Sequence, residues 1–234
     1  GIIENALLYE NMEKLVQERT RELEEEKQKS DALLLNILPK EIATELIKTG
    51  KASARLYEKV SVMFVDIKDF TRIAQRLSPD ELVQNLQVFF TRFDEIMDEY
   101  GLEKIKTIGD AYMAAGGIPI PSEDHALRIL EAARDILKFT DQYNEKSRLH
   151  NKPVFQIRIG IHLGPVVAGV VGHKKFAYDI WGDTVNIASR MESNSETGKI
   201  NVSEDFFNEI KGTYACEFRG EIDVKNKGMM NMYF

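Results

Sequence analysis

The sequence predicts a mixed α/β (α+β) domain preceded by a long charged helix, on three observations. Residues 2–38 contain no Pro, are rich in Glu, Lys, Gln and Leu, and show no period-two alternation. From Val60 onward, short apolar runs alternate with helical stretches. Turn and cap residues fall between those runs, at Ser78-Pro79, at Gly101 and at Ile108-Gly109-Asp110.

The first segment repeats every seven residues. Ile2, Tyr9, Val16, Leu23, Ser30 and Ile37 form one seam, and Asn5, Met12, Arg19, Glu26 and Leu33 form its companion. A heptad with polar residues at its centre predicts a two-stranded coiled coil of modest strength, and a single solvated helix is the plain alternative. Leu38-Pro39 interrupts it, because Pro lacks an N–H and clashes with the preceding turn. A short amphipathic helix resumes at Lys40, with Ile42, Ala43, Leu46 and Ile47 as its stripe and Gly50 as its stop. The expected division is a coiled-coil helix suited to signal transmission over 1–38, a coupling helix over 39–59 and a folded domain over 60–234.

Within that last region, 60–65 reads as a strand. Ser78-Pro79-Asp80-Glu81 reads as a cap with Pro in the first helical position, opening a helix to Tyr100. Strands near 103–108 and 111–116 make a hairpin, and a helix covers roughly 123–148. Phe155–His162 is a strand with Ile157, Ile159 and Ile161 on one face and Arg158, Gly160 and His162 on the other. Two further strands flank Gly169 and Gly172, a helix starts near Asp183, and an αββ tail closes the chain. The core order βαββαβ predicts a ferredoxin-like split βαβ layout with a C-terminal αββ extension.

The 234 residues, 43% hydrophobic, suffice for one packed domain and an appendage. A net charge of -7 without a basic stripe argues against a nucleic-acid partner. The single cysteine, Cys216, excludes an internal disulfide and suits a reducing, cytoplasmic setting. Four histidines without a Cys/His cluster exclude a structural zinc site. No apolar run approaches the roughly 18 residues of a spanning helix, so these residues are not expected to insert in a membrane. A start at Gly within a helical pattern reads as a piece of a longer protein, with a sensor upstream and the parent open to tethering.

The chemistry centres on two carboxylates. Asp66 ends the run FVDIKDF and Asp110 sits in the hairpin turn of KIKTIGDAYM. A lone Asp at a strand end is ordinarily a turn or cap residue. Two at adjacent strand ends of one core suit a pair of hard divalent cations and displacement at phosphorus. The loop from Ile67 through Phe70 and Thr71 leads into a helix whose N–H groups could cradle phosphates, although no GxxxxGK[ST] motif is present. His125 and His162 read as structural and Cys216 as buried; Trp181, Phe176 and Phe70 read as core or interface packing, with a wall of the base pocket as the alternative for Trp181.

The segments FVDIKDF, EKIKTIGDAYM, RIGIHLGPVVAGVVG and YDIWGDTVNIASRM resemble, in order and spacing, the signatures of class III nucleotide cyclases, and LLLNILPKEIATEL resembles the transducer preceding such domains. The resemblance implies conversion of a nucleoside triphosphate to its 3′,5′-cyclic monophosphate by a head-to-tail homodimer with two interface sites. By it, Asp66 and Asp110, with the Ile67 carbonyl, hold two Mg²⁺ or Mn²⁺ ions. Lys106 and Asp179 match the adenine-reading pair, which implies ATP as substrate. Asn186 orients the ribose and Arg190 stabilises the transition state. Lys225, with Lys227 as second choice, grips the terminal phosphates, and Arg158 is a further phosphate-side arginine. A guanylate cyclase, a non-catalytic cyclase-fold module and a diguanylate cyclase are the alternatives. Lys106 and Asp179 disfavour the first, the retained site residues disfavour the second, and the absence of a GGDEF-like run disfavours the third.

Overall fold

The computed structural model describes residues 2–172, 176–224 and 227–234, and divides into two units. One comprises Gly1–Ala52 with Val171–Ala177; the other comprises Ser53–Val170 with Tyr178–Phe234.

In the first unit, α1 (Ile2–Leu35) stops four residues short of Pro39. The chain then turns into α2 (Lys40–Thr49), which ends where Gly50 adopts φ 72° and its N–H reaches the Leu46 carbonyl. Ile42 and Ala43 are buried, whereas Ile47, expected on the same stripe, is exposed. The heptad residues Val16 and Leu23 are 61% and 65% exposed in the single chain.

The second unit is built on a mixed sheet. Its elements are β1 (Arg55–Ile67), α3 (Phe70–Ala74), α4 (Pro79–Glu99), β2 (Glu103–Ile108), β3 (Ala111–Gly116), α5 (His125–Leu149), β4 (Ile157–Val171) and β5 (Ala177–Trp181). There follow α6 (Asp183–Ser193), β6 (Ile200–Ser203), α7 (Glu204–Ile210), β7 (Phe218–Val224) and β8 (Gly228–Tyr233). The strand order is β2-β3-β1-β4-β6-β8-β7, with β5 on β4. The first four strands in that order are antiparallel neighbours, as the split βαβ expectation requires.

Met63, Val65, Tyr112, Ala114, Ile157, Ile159 and Ile161 face α4 and α5, where Phe89, Phe93, Ile129 and Ile136 close the core. The opposite face receives α6 so closely that a Cβ on Gly160 would lie 1.9 Å from the Glu192 backbone nitrogen. Ile187 and Met191 of α6 pack on Val224 and Met232. Ser78 caps α4 with a complete capping box through Glu81.

Several boundaries differ from the sequence reading. β1 starts at Arg55, with a register shift between Tyr57 and Val60, because β4 supplies pairing partners as far as Ala168. β4 runs unbroken through Gly164 and Gly169, where two strands were expected around Gly169 and Gly172. Ala54 lies 3.2 Å from where a Gly169 Cβ would sit, so that glycine serves close packing and does not end the strand. The tail carries an extra strand, β6, ahead of α7. Cys216 is half-buried, and Trp181 and Phe176 are 41% and 39% exposed and do not join the core. His125 and His162 are buried against Ser61 and Ser203, with Nδ1–Oγ distances of 2.8 and 2.7 Å. No helix among the described residues is long and apolar enough to cross a membrane.

Candidate active site

Asp66 lies near the end of β1, directly across from Arg158 of β4. The Arg158 guanidinium donates to Asp66 Oδ2 from Nη2 at 3.0 Å and from Nε at 3.3 Å, and from Nη1 to the Ser193 carbonyl at 3.1 Å. Its Nε is also 2.6 Å from Glu192 Oε1, although the contact is out of line for a hydrogen bond. Glu192, with its side chain 8% exposed, has its pKa pushed up to about 7 by burial and then by the Asp66 charge.

Asp110 follows Gly109, whose φ of 63° makes the hairpin turn. Burial raises the Asp110 carboxyl, and the charge and hydrogen bond of Asp66 raise it further. A carboxyl whose proton affinity is raised by burial and by a neighbouring carboxylate is a fit for a cation, which would remove the repulsion. Among the described residues no group of three or more His, Cys, Asp or Glu side chains is arranged to hold a metal. Two carboxylates and a carbonyl thus suit an ion such as Mg²⁺, which is bound by one or two carboxylates and completed by substrate phosphates. Ile67 is buried at the end of β1. Phe70 opens α3 and packs partly on the core, and Thr71 is exposed beside it.

Lys106 of β2 and Asp179 of β5 meet at 2.5 Å, Nζ to Oδ2, while Asp179 Oδ1 accepts from the Ile180 N–H at 2.9 Å. A donor and an acceptor distant in sequence are therefore side by side within one chain.

Asn186 and Arg190 share a face of α6, one turn apart, and line a cavity of about 420 Å³ with Asp183, Ser189 and Lys227. Lys227 lies 4.0 Å from Asp183. Lys225 lies outside the described residues. Neither Asp66 nor Asp110 lines that cavity.

Sequence reasoning missed Glu192 as a member of the carboxylate cluster. Its signal was helical spacing: six residues after Asn186, it falls on the buried side of α6. Arg158 was expected on phosphates, and here its guanidinium is held by Asp66, Glu192 and Ser193.

The profile of the adenylate and guanylate cyclase catalytic domain family matches residues 52–234. The chain belongs to the class III nucleotidyl cyclases. A second profile, described as heme NO binding associated, matches residues 3–46. The chain is 41% identical over 213 residues to an adenylate cyclase of Mycobacterium tuberculosis, covering 91% of this chain and 47% of that protein. It is 40% identical over 243 residues to the human atrial natriuretic peptide receptor 2, covering 100% of this chain and 23% of the receptor. The chain thus spans about half or less of these relatives. Among solved structures it is similar to the catalytic core of a rhodopsin-guanylyl cyclase with converted specificity in complex with ATPαS. The TM-score is 0.72 at 39% identity, over 77% of this chain and 96% of that one. Cyclase domains of this family act as dimers on nucleotides and use divalent metals.

Proposed function

We propose that this cyclase domain converts ATP, in preference to GTP, to 3′,5′-cyclic AMP and pyrophosphate at a site shared between two copies of the chain. The observation that carries the reading is the Lys106–Asp179 pair. Lys is a pure donor and matches the N1 acceptor of adenine; the carboxylate is a pure acceptor and matches the 6-amino group. Guanine presents the opposite polarity on that edge. Each group that the bound base covers and leaves unpaired costs about 1–3 kcal/mol, so two mismatches would favour ATP by roughly 30-fold to 10⁴-fold. Similarity to guanylate cyclases supports a GTP reading at the level of the domain alone, and Lys106 with Asp179 opposes it.

Asp66 and Asp110, with the Ile67 carbonyl, hold two Mg²⁺ or Mn²⁺ ions. When bound, these ions lower the pKa of the ribose 3′-hydroxyl and neutralise phosphate charge. The 3′-oxygen bonds to the α-phosphorus, the bond to the β-phosphate oxygen breaks, pyrophosphate leaves with the electron pair, and the hydroxyl proton passes to water. Asn186 orients the ribose, and the Arg190 guanidinium meets the charge that develops on the phosphorane. Lys227 lines the same cavity and serves the terminal phosphates, a role shared with Lys225 in sequence terms. The N–H groups at Phe70 and Thr71 have no intrahelical acceptor and offer donors to the phosphate chain. Arg158 keeps Asp66 neutralised until substrate arrives. The exposed seam of α1 joins two copies as a coiled coil, and the match of residues 3–46 supports a sensor upstream in the parent protein.

The test is an assay of purified protein with Mn²⁺ and either ATP or GTP, with products separated by chromatography. Cyclic AMP should dominate. Dominant cyclic GMP, linear dinucleotides or no product would overturn the proposal.

A further inference from the structure

Arg158 lies between two carboxylates and uses them unequally. Its Nη2 and Nε donate to Asp66 Oδ2 at 3.0 and 3.3 Å, and its Nη1 donates to the Ser193 carbonyl at 3.1 Å. Nε is nearer still to Glu192 Oε1, at 2.6 Å, but its N–H is out of line. That buried oxygen therefore accepts no hydrogen bond among the described residues. Native interiors leave few polar atoms unmatched, so a buried acceptor that faces a cation without taking its proton needs a reason. The partners also differ in freedom to move. Glu192 is fixed, because a Cβ on Gly160 would meet its backbone nitrogen at 1.9 Å and Asn201 Nδ2 holds the Met191 carbonyl beside it at 2.7 Å. The Arg158 side chain is 24% exposed against 8% for Glu192, and it is the member able to turn.

We propose that Glu192 is a positioning residue that takes over Arg158 when a cation binds Asp66, so that Asp66 is released to the metal and Arg158 is kept at the edge of the site. This rests on the reading of Asp66 and Asp110 as metal ligands. A divalent ion and a guanidinium repel each other across one carboxylate oxygen, so an ion on Asp66 must compete with Arg158. With no second carboxylate in reach, the displaced Arg158 would keep only the Ser193 carbonyl, and a partly buried charge left that way is costly. Glu192 removes that obstacle. Its Oε1 is already at hydrogen-bond distance from Nε while Ser193 holds Nη1, so the exchange needs a turn of the guanidinium plane and no shift of α6. Anchored on Glu192 and Ser193, Arg158 keeps N–H groups to spare for a phosphate. Glu192 touches neither ion nor substrate in this arrangement; it acts through Arg158.

The experiment measures Mn²⁺ binding to the full chain without nucleotide, from the electron paramagnetic resonance signal of free Mn²⁺, with a thermal melt of each variant. The exchange requires that Glu192→Gln weaken Mn²⁺ binding about tenfold, because a neutral amide competes poorly for Arg158 and leaves it on Asp66. Glu192→Asp keeps the charge but is one methylene too short to reach Nε, so it should weaken binding to within about threefold of Glu192→Gln. In an Arg158→Met background, where nothing is left to exchange, Glu192→Gln should change Mn²⁺ affinity by less than about twofold. If the Arg158→Met protein does not fold, Glu192→Asp carries the test. If Asp110→Ala leaves Mn²⁺ binding unchanged, the metal reading falls and the exchange falls with it. If Asp110→Ala loses Mn²⁺ while Glu192→Gln stays within about twofold of the parent, the reading stands and the exchange falls. The exchange is also overturned if Glu192→Asp binds Mn²⁺ as the parent does, since charge alone would then suffice. An equal loss with and without Arg158 overturns it as well, because Glu192 would then act through the seating of α6.

Discussion

Gly160→Ala tests how tightly α6 is seated on the sheet that carries Asp66. The new Cβ would lie 1.9 Å from the Glu192 nitrogen and 2.4 Å from both the Glu192 Cα and the Met191 carbonyl carbon. All three are backbone atoms, so no side-chain rotation relieves the overlap, and α6 must back away by roughly 1.5 Å to restore ordinary contact. Overpacking of this kind costs about 3 kcal/mol or more. Reduced freedom of the unfolded chain returns about 0.4–1 kcal/mol. The net loss of about 2–3 kcal/mol corresponds to a fall of about 4–12 °C in Tm for a domain of this size. Because α6 also carries Asn186 and Arg190, a displacement of about 1 Å should cost on the order of 10²-fold in kcat. Far-UV circular dichroism melts and a Mn²⁺-supported rate assay measure both. A Tm within about 2 °C of the parent, with kcat within about threefold, would refute the close seating of α6.

Arg190→Ala should lower kcat by about 10²–10³-fold with KM changed by less than about threefold, as steady-state kinetics will show, because its charge is needed only where charge develops. Asp110→Ala and Arg190→Ala proteins, each nearly inactive, should regain activity on mixing with subunit exchange, since one composite dimer keeps one intact site; continued inactivity would rule out a shared site. In metal-free protein, Glu192 and His162 should tilt stability in opposite directions. Glu192, raised to about 7 by burial and the Asp66 charge, favours the fold at low pH and loses that contribution between about 4.5 and 7. His162, lowered to about 4 by burial and then by Lys227, favours the fold above 6.5 and loses that contribution as pH falls to about 4. Each effect is on the order of 3 kcal/mol, so Glu192→Gln should steepen acid unfolding in urea titrations across pH 4.5–7.

The features legible in the sequence were those fixed by local chemistry. The hairpin falls at 103–108 and 111–116 because Gly109 supplies the positive φ that its turn demands. The start of α4 is set by Ser78, Pro79 and Glu81 acting within one turn. What escaped depends on contacts made across the fold. Gly169 reads as a strand break, yet β4 continues because the backbone at Ala54 needs the space. The alternation in β2 would set Lys104 and Lys106 on one side, and only the pairing with β3, with Ile105 as an extra residue between them, separates the two. The Arg158–Asp66 contact follows from a register between β1 and β4 that no local pattern encodes. Glu192 was only partly legible: its helical spacing puts it on the buried side of α6, but a carboxylate next to Ser193 and Asn194 has the composition of a helix end, and its burial comes from the approach to Gly160.

The geometry of α6 supports the reading that one chain carries two halves of a site. Successive residues on an α-helix are separated by about 100°, so Arg190 stands roughly 160° around the axis from Glu192 and Asn186 about 120° from it. Glu192 is turned toward Asp66 and Arg158, and it is buried there. Asn186 and Arg190 are consequently turned away, into the cavity that they share with Lys227. No rotation of α6 brings both sets to one phosphate without withdrawing Glu192 from Arg158 and Ile187 and Met191 from Val224 and Met232. The carboxylates that would hold cations and the groups that would hold ribose and quench charge are therefore directed to different places by the same packing. In the proposed reading a second copy, presenting its own α6, is what reunites them. On that reading, seating α6 on Gly160 does two things at once: it builds the core of one protomer, and it would make that protomer dependent on its neighbour.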